Sequence, residues 1–303
     1  MAKVSIIIPS CGEKDINIFR TLKSIYENAT GECEVIVGLN GEPFNDIPKD
    51  LFPNLKIIRF PVNVGIKTNI NSLAALATGK YIYKSDAHCA FGKGFDEILQ
   101  ADMQDDWVVT PRFYVLNGET WEWQDDRFYD YFYLSCPFTD KRGLRFKAGG
   151  HWPERTEERK FGNGKFGIVN TKEGIDSFFI DETPQIHGSG WFMTKDRFFE
   201  LGGFPITDPY GHGQEPLWIA LKNWVEGGKV MVNKKTWYAH LHQDSKDRGY
   251  PEDKVATERT YNLTAEYWLK HPKFEWFVDK FMPMPTWDPD WREKLQEWRE
   301  QNG

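Results

Sequence analysis

The sequence predicts an α/β domain with a mostly parallel central sheet flanked by helices, and three observations carry this prediction. Four apolar runs of strand length recur within the first 85 residues. Segments with the apolar spacing of helices separate them. Asn-Gly or Gly follows the predicted strands and helices at their ends, as Gly79 does after a helical run. Strand–helix–strand units of this kind build parallel sheets with right-handed crossovers.

The elements of the first half follow in chain order. Strands are predicted at 3–9, 34–39, 55–60 and 80–85, and helices at 17–28 and 71–78. Ligands of such sheets bind in the crevice at the carboxyl ends of the strands. We therefore expect functional residues directly after each strand.

The second half begins with an irregular insertion at 113–183, rich in aromatic and charged residues and Gly, in which Asn163-Gly164 predicts a hairpin turn. Regular structure is predicted again at 189–203, in a helix at 215–227 and in strands at 229–232 and 237–242. The last 50 residues are predicted to be helical, with Asp288-Pro289 starting the final helix. We expect the tail's tryptophans to pack on the core.

Composition limits the protein class. No apolar run approaches the length of about 18 residues that a membrane-spanning helix needs, and the N-terminus lacks the pattern of a secretory signal, so we expect a cytoplasmic protein. The net charge is −7, but segment 141–172 carries nine Lys/Arg against three Glu. Its charge is interleaved with Phe146, His151, Trp152, Phe161 and Phe166. Such a segment fits either a nucleic-acid groove or a solvated loop that closes over a ligand.

Ser85-Asp86-Ala87-His88 follows the fourth predicted strand. If the extended conformation continues, Asp86 and His88 project to the same side. One carboxylate and one imidazole suit a divalent ion such as Mn²⁺, with positions left open for phosphate oxygens. A surface Asp beside a packed His is the alternative. Either His240 or His242, which share one face of the last predicted strand, could complete the metal site.

Gly213-Gln214-Glu215-Pro216 opens a predicted helix. Glu215 stands in the first turn, where the helix dipole favours a carboxylate. Capping and acceptor binding are both compatible with this position. A P-loop, a nucleophile elbow and a dinucleotide fingerprint are all absent from the sequence.

The order of these motifs resembles that of GT-A glycosyltransferases. SIIIPSCGE, EVIVGLNG, Asn63-Val64-Gly65 and the D-x-H of Asp86 resemble the nucleotide-sugar half of that fold. GSGWFMTKDRFFELGGF, GQEPLWIALKNWVEGG and YAH in the second half resemble polypeptide N-acetylgalactosaminyltransferases and family-2-like relatives. The resemblance covers about 1–110 and 185–245.

The resemblance implies a GT-A domain with a nucleotide-sugar half at 1–112, an acceptor half at 113–250 that includes the basic loop 141–172, and a helical extension at 251–303. It implies that Asp86, His88 and His240 hold Mn²⁺ or another divalent cation and that Glu215 and Asp86 serve catalysis. The expected nucleotide-sugar contacts are Pro9, Ser10, Asn40, Asn63, Gly65, Asn71, Ser85, Asp86, Gly190 and Trp191.

The implied activity is metal-dependent transfer of a hexose or N-acetylhexosamine from a nucleotide-diphosphate sugar, preferably a UDP-sugar, to a hydroxyl of protein Ser/Thr or a glycan. Leu39-Asn40 stands where many relatives have an Asp pair, which leaves base recognition open. Pro216 stands where inverting relatives carry the base Asp, which favours retention of configuration. Two alternatives stay open: a DNA glycosyltransferase that uses segment 141–172 to modify a hydroxymethylated pyrimidine, and a non-catalytic sugar- or nucleic-acid-binding module.

Overall fold

The computed structural model describes residues 4–149, 155–160, 166–171, 177–206, 213–243 and 253–303. The strands are β1 Val4–Ser10, β2 Cys33–Asn40, β3 Leu55–Phe60, β4 Tyr81–Ser85, β5 Cys89–Phe91, β6 Trp107–Leu116, β7 Trp123–Tyr129, β8 Phe132–Leu134, β9 Phe146–Ala148, β10 Thr156–Lys160, β11 Phe166–Asn170, β12 Ile180–Glu182, β13 Gly190–Thr194 and β14 Lys229–His240. The helices are α1 Asp15–Asn28, α2 Ile66–Leu76, α3 Phe95–Ala101, α4 Lys195–Glu200, α5 Glu215–Val225, α6 Lys254–Lys270, α7 Phe274–Phe281 and α8 Trp291–Asn302.

The predicted α/β class is confirmed. One large sheet runs in the order β12-β14-β6-β13-β4-β1-β2-β3, with β5 paired to β14 and β7 paired to β6. The neighbours β4, β1, β2 and β3 are parallel, as are β6 and β14. β13 runs antiparallel to both β4 and β6 and makes the sheet mixed. The boundary expected at 112 falls inside β6, so both halves contribute to a single sheet.

Helices cover both faces of this sheet, which is why its central strands are apolar without alternation. Ile6 and Ile8 are fully buried on the face that α1 and α3 cover, and Ile7 is fully buried on the face that α2 and α5 cover. Because β1, β2 and β4 are parallel, their carboxyl ends lie at one edge of the sheet, together with the loops that follow them.

The C-terminal helices belong to the same core. Trp268, Trp287 and Trp291 are buried in the cluster that includes Trp224 of α5. Core packing of the tail is confirmed for these three tryptophans, whereas Trp276 is 47% exposed. The prediction that Asp288-Pro289 starts the final helix is wrong by two residues, because Asp290 is the N-cap of α8.

The insertion contains more regular structure than the sequence predicted. β7, β8, β9, β10, β11 and β12 all lie within 113–183, where long loops were expected. β10 and β11 pair antiparallel, with Thr156 opposite Asn170. The turn expected at Asn163-Gly164 lies outside the described residues.

The last strand is longer than predicted and continuous. No strand was predicted at 233–236, but β14 runs unbroken from Lys229 to His240, with an irregularity between Asn233 and Trp237. Asn233, Lys234 and Thr236 are buried, and Lys234 donates to the Tyr131 hydroxyl at 2.8 Å. These polar residues occupy a strand interior because part of their hydrogen bonding is satisfied there. No helix within the described ranges has both the length and the apolarity for a bilayer crossing.

The start of α6 offers a test of the C-terminal helices. The Asp253 carboxylate accepts a hydrogen bond from the backbone N–H of Ala256 at 2.9 Å. We expect Asp253→Ala to lower the free energy of unfolding by about 1 kcal/mol, the usual cost of losing an N-cap. Urea unfolding measures the change. Asp105→Ala, which alters a carboxylate that is 81% exposed, serves as the control and should shift stability by less than about 0.5 kcal/mol. Equal stability of Asp253→Ala and the wild type would contradict the capping role.

Candidate active site

Asp86 begins the site at the carboxyl end of β4. Its backbone N–H donates to the Ser189 carbonyl at 2.9 Å, and its carboxylate pairs with the Lys84 ammonium. Lys84 also donates to the Gly188 carbonyl at 2.7 Å. Burial by itself would raise the pKa of Asp86, but the Lys84 charge and the hydrogen bond with His240 outweigh it and hold that pKa well below its usual value. Asp86 is therefore an anion in a largely enclosed place.

His88 follows after a bend, because β4 ends at Ser85 and the chain turns before β5. The strand conformation assumed from the sequence does not continue through the motif. His88 still faces Asp86, and its Nε2 lies 3.0 Å from Nε2 of His240. Its Nδ1 lies 2.6 Å from Oε2 of Glu13.

His240 reaches the site through strand pairing. β14 runs antiparallel to β5 with His240 opposite Cys89, and the Leu241 N–H donates to the His88 carbonyl at 3.0 Å. The His240 Nε2 lies 3.3 Å from Oδ2 of Asp86. Burial lowers the pKa of His240 to about 3, so the ring is neutral near pH 7 and has a lone pair for a metal.

The donor set fits a divalent cation. One ligand atom from each of Asp86, His88 and His240 lies within 4.8 Å of the other two. One carboxylate oxygen and two imidazole nitrogens suit a borderline ion such as Mn²⁺ and leave coordination positions open. The predicted divalent-cation site therefore has its three ligand residues in contact. The His242 ring lies 5.0 Å from the His240 ring and falls outside this group, so the geometry favours His240 as the third ligand.

Glu215 stands at the start of α5 in a strained turn. Gly213 and Gln214 precede it with positive φ of 89° and 70°. Glu215 is 6% exposed, and its Oε1 has no hydrogen-bond partner in the described part of the chain. Burial raises its pKa to about 7 against the opposing charge of Lys67. A carboxyl with this pKa can donate or accept a hydrogen bond near neutral pH.

The side chains after β2 form a compact amide network. Asn40 Nδ2 donates to Asn63 Oδ1 at 2.8 Å, and the Val64 N–H donates to Asn40 Oδ1 at 2.8 Å. Gly65, with φ of 78°, caps α2 and donates its N–H to Asn63 Oδ1 at 2.8 Å. The structure brings these three predicted donor-binding residues together at the carboxyl edge of the sheet.

Other predicted donor contacts have mixed placements. Pro9 and Ser10 end β1 beside Gly38 and Leu39 of β2, and the Ser10 Oγ is buried with no hydrogen-bond partner among the described residues. Ser85 is buried and donates to the Asp86 carbonyl at 2.8 Å. Gly190 lies against Tyr238, whose ring is 2.8 Å from the position of an added Cβ.

Two predicted contacts are not brought to the cluster. Trp191 is fully buried and stacks on Phe198 with ring centroids 6.0 Å apart, because its strand position faces the helical core. Asn71 exchanges hydrogen bonds with the Phe204 backbone at 2.9 and 3.0 Å, so both ends of its amide are engaged. Their side chains support the fold of the 190–204 segment.

Three residues that lie near Asp86, His88 and His240 were not predicted from the sequence. Glu13 lies in the loop after β1, where the rule that ligands bind at carboxyl ends of strands could have found it. Lys84 is 3% exposed, and nothing in the sequence distinguishes a buried lysine from a solvated one. The His187 ring lies 5.3 Å from the His240 ring and 5.6 Å from Phe146 of the basic segment. The spacing of residues along the sequence does not indicate that His187 lies near His240 or Phe146.

Comparison with known proteins places the chain in a family. The family model described as "Glycosyl transferase family 2" matches residues 5–158. The chain belongs to this family. The match includes β2, β3 and β4 with Asp86 and His88, whereas Gly190, Glu215 and His240 lie beyond it.

Curated relatives of this family-2 chain are polypeptide N-acetylgalactosaminyltransferases. Polypeptide N-acetylgalactosaminyltransferase 5 of Caenorhabditis elegans is 24% identical over 284 residues, which cover 89% of this chain and 42% of the relative. The Rattus norvegicus protein of the same name is 29% identical over 107 residues, which cover 35% of this chain and 11% of the relative. The chain thus spans less than half the length of these curated relatives.

Solved structures agree on the GT-A glycosyltransferase fold. GalNAc-T7 with UDP, GalNAc and Mn²⁺ superposes with a TM-score of 0.66 at 19% identity, covering 99% of this chain and 55% of that one. TarS residues 1–349 of S. aureus with UDP-GlcNAc superposes with a TM-score of 0.54 at 14% identity, covering 92% of this chain and 71% of that one. The family-2 chain therefore shares the fold of these glycosyltransferases.

Proposed function

We propose that this family-2 protein transfers a sugar from a UDP-sugar to a hydroxyl acceptor and that the reaction depends on a divalent cation. The convergence of Asp86, His88 and His240 at the carboxyl edge of the sheet carries the proposal. A catalytic metal site in this place explains why a half-buried anion, a half-buried ring and a buried ring are gathered there. The donors named in the solved relatives, UDP with GalNAc and UDP-GlcNAc, support the choice of UDP.

The nucleoside diphosphate leaving group accumulates negative charge during transfer, and the residues of the site can neutralise it through a bound cation. A cation bound by Asp86, His88 and His240 would supply Lewis-acid neutralisation of the diphosphate. Lys84 keeps Asp86 ionised and fixes its orientation through the Gly188 carbonyl. The neutral His240 ring offers its nitrogen without first losing a proton.

We assign the nucleotide to the loops after β1 and β2. The Asn40 and Asn63 network stands where an Asp pair would bind the ribose or base in many relatives, so this chain uses neutral amides there. The buried Ser10 hydroxyl is a further donor or acceptor in the same crevice. The backbone of four further predicted contacts shapes this crevice: Pro9, Gly65, Ser85 and Gly190.

Glu215 is assigned to the donor sugar and the transfer step. Its buried, unpaired Oε1 can hydrogen-bond a sugar hydroxyl, and a pKa of about 7 allows it to exchange a proton near neutral pH. Pro216 occupies the position of the base in inverting relatives, which supports retention of the anomeric configuration.

The proposed acceptor is a hydroxyl of a protein Ser/Thr or a glycan, and the names of the curated relatives, which specify a polypeptide acceptor, support a protein. No contact among the described residues favours the DNA alternative. The basic residues of 141–172 whose contacts are described have partners within the protein: Lys147 pairs with Asp140, Arg145 stacks on Tyr261 and Arg155 pairs with Asp181. His151, Trp152 and Phe161 lie outside the described residues, and so does the side chain of Phe166.

Release of UDP from a panel of UDP-sugars tests the proposal. Wild-type protein is incubated with UDP-GalNAc, UDP-GlcNAc, UDP-galactose and UDP-glucose, with Mn²⁺ or with EDTA, and with Ser/Thr peptides, glycans or hydroxymethylated DNA as acceptor. We expect metal-dependent release from one donor, accelerated by a peptide or glycan, and a product that keeps the donor's anomeric configuration by NMR. Acceleration by DNA alone would favour the alternative acceptor. Binding of a sugar or nucleotide without turnover under every condition would favour a non-catalytic module.

A further inference from the structure

Glu13 is a buried carboxylate that contacts His88 at Nδ1, the ring nitrogen that does not face His240. Its side chain is 7% exposed, and Oε2 lies 2.6 Å from Nδ1 of His88. Oε1 accepts hydrogen bonds from Asn17 Nδ2 at 2.8 Å and from Gln243 Nε2 at 3.0 Å. Both carboxylate oxygens are therefore occupied by side chains from three different segments.

The charge state of Glu13 suits a hydrogen bond to an imidazole N–H. Burial alone would raise its pKa, but the hydrogen bonds with His88, Asn17 and Gln243 lower it. Both of its oxygens lie within hydrogen-bond distance of side-chain nitrogens, as those of an ionised carboxylate do. An anion beside Nδ1 favours the tautomer that carries its proton on Nδ1.

The same contact determines which nitrogen faces the cluster. With the Nδ1 proton bonded to Glu13, the His88 Nε2 carries the lone pair, and this atom lies 3.0 Å from the His240 Nε2. A carboxylate that holds the outer nitrogen of a metal-bound histidine fixes its tautomer and ring orientation and raises its basicity. Within the described residues, the hydrogen bonds of the Glu13 side chain go to Lys14, Asn17, His88 and Gln243 and not to Asp86 or His240, so Glu13 acts on the cluster through His88.

We infer that Glu13 is a positioning residue for the metal site, which orients His88 and strengthens it as a ligand; this inference rests on the proposed divalent-cation function. Asn17 from α1 and Gln243 from beyond β14 hold the carboxylate in place on either side. The site thus couples the loop after β1 to the ends of β4 and β14.

Mn²⁺ binding in the absence of any donor tests the inference, with free Mn²⁺ measured by electron paramagnetic resonance. We expect Glu13→Ala to weaken Mn²⁺ binding about 10–100-fold, the usual effect of losing such a carboxylate. Glu13→Gln should lose less, because an amide oxygen still accepts the Nδ1 proton but brings no charge. The absorption spectrum of Co²⁺ bound in place of Mn²⁺ should change in Glu13→Ala, because the ring is no longer held.

Glu34 provides a matched control. It is a buried carboxylate with a pKa also lowered to about 2, held by Ser5, Thr78 and Lys56 at the start of β2 and away from the cluster. Glu34→Ala should lower the melting temperature and leave the Mn²⁺ affinity unchanged. The double variant Glu13→Ala/His88→Ala should bind Mn²⁺ no more weakly than His88→Ala alone, because Glu13 acts through His88.

Three results would overturn the inference. Unchanged Mn²⁺ affinity in both Glu13 variants, with a melting temperature lowered as in Glu34→Ala, would make Glu13 merely structural. A further loss of affinity in the double variant would show an action that does not pass through His88. Failure of the wild type to bind Mn²⁺ would remove the metal site, and the proposed metal dependence with it. If Glu13→Ala does not fold, Glu13→Gln supplies the same comparison.

Discussion

Asp86→Asn is expected to lower the metal-dependent kcat/KM for UDP-sugar turnover by about 10³-fold. The substitution keeps the size of the side chain but removes the only anionic ligand of the Asp86, His88 and His240 group. Lewis-acid stabilisation of a leaving diphosphate amounts to several kcal/mol, and a loss of about 4 kcal/mol corresponds to about 10³ in rate. Steady-state assay of UDP release over a range of Mn²⁺ concentrations measures the effect.

The control for Asp86→Asn must separate lost chemistry from lost stability. Lys84 is 3% exposed and loses its carboxylate partner in this variant, so the variant should also unfold more easily. The double variant Lys84→Met/Asp86→Asn removes the buried amine as well and should recover stability without recovering turnover. Asp102→Asn, which breaks a surface pair with Lys235, should leave turnover unchanged. Activity within about threefold of the wild type in Asp86→Asn would refute the metal-dependent mechanism.

The sequence predicted the nucleotide-side elements well because each is a local pattern. β1 and β2 each contain a continuous buried apolar run, Ile6–Ile8 and Val35–Val37, as strands covered on both faces do. The predicted helix at 71–78 overlaps α2, which begins earlier, at Ile66, and ends at Leu76, two residues before the predicted end. The start at Ile66 was missed because its N-cap is Gly65, which has no side chain to cap the helix. The Ser, Thr, Asp or Asn by which a helix start is usually recognised is therefore absent there.

The insertion and the last strand were harder to predict because their stability comes from distant partners. β14 contains Asn233, Lys234 and Thr236, a polar run that indicates a turn when viewed alone. In the fold it is buried beside β6, and Lys234 bonds Tyr131, which lies 103 residues away. Strand propensity depends on such context more than helix propensity does.

The site was predictable in its residue types but not in its contacts. Asp86 and His88 were predicted on the assumption of a continuing strand; they converge although the strand ends, since β5 pairs with β14 and presents His240 to His88 across 152 residues of sequence. The choice between His240 and His242 depended on this pairing. Glu13 and Lys84 were missed because hydrogen bonding and burial, rather than spacing, place them in the site.

Glu215→Gln is expected to stabilise the metal-free protein by about 3 kcal/mol at pH 8.5 and to have almost no effect below pH 4.5. The native pKa of about 7 lies above the ordinary value of 4.5, so the folded protein holds a proton that the unfolded chain releases between these values. The carboxyl therefore stabilises the fold fully only below pH 4.5, and its contribution is lost as the pH rises through 7. Gln cannot ionise and avoids the cost of burying a charge.

Urea unfolding in EDTA, at intervals between pH 4.5 and 8.5, measures this difference for Glu215→Gln and for Glu34→Gln. Glu34 has a pKa lowered to about 2, so its ionised form stabilises the fold above pH 4.5 and this contribution is lost as the pH falls. Its replacement should destabilise the protein at neutral pH, which is the opposite sign. A stability difference for Glu215→Gln that stays constant with pH would mean that Glu215 ionises normally in the folded protein. It would then be fully ionised near pH 7 and could accept a hydrogen bond from a sugar but not donate one, and its proposed proton exchange near neutral pH would fail with it.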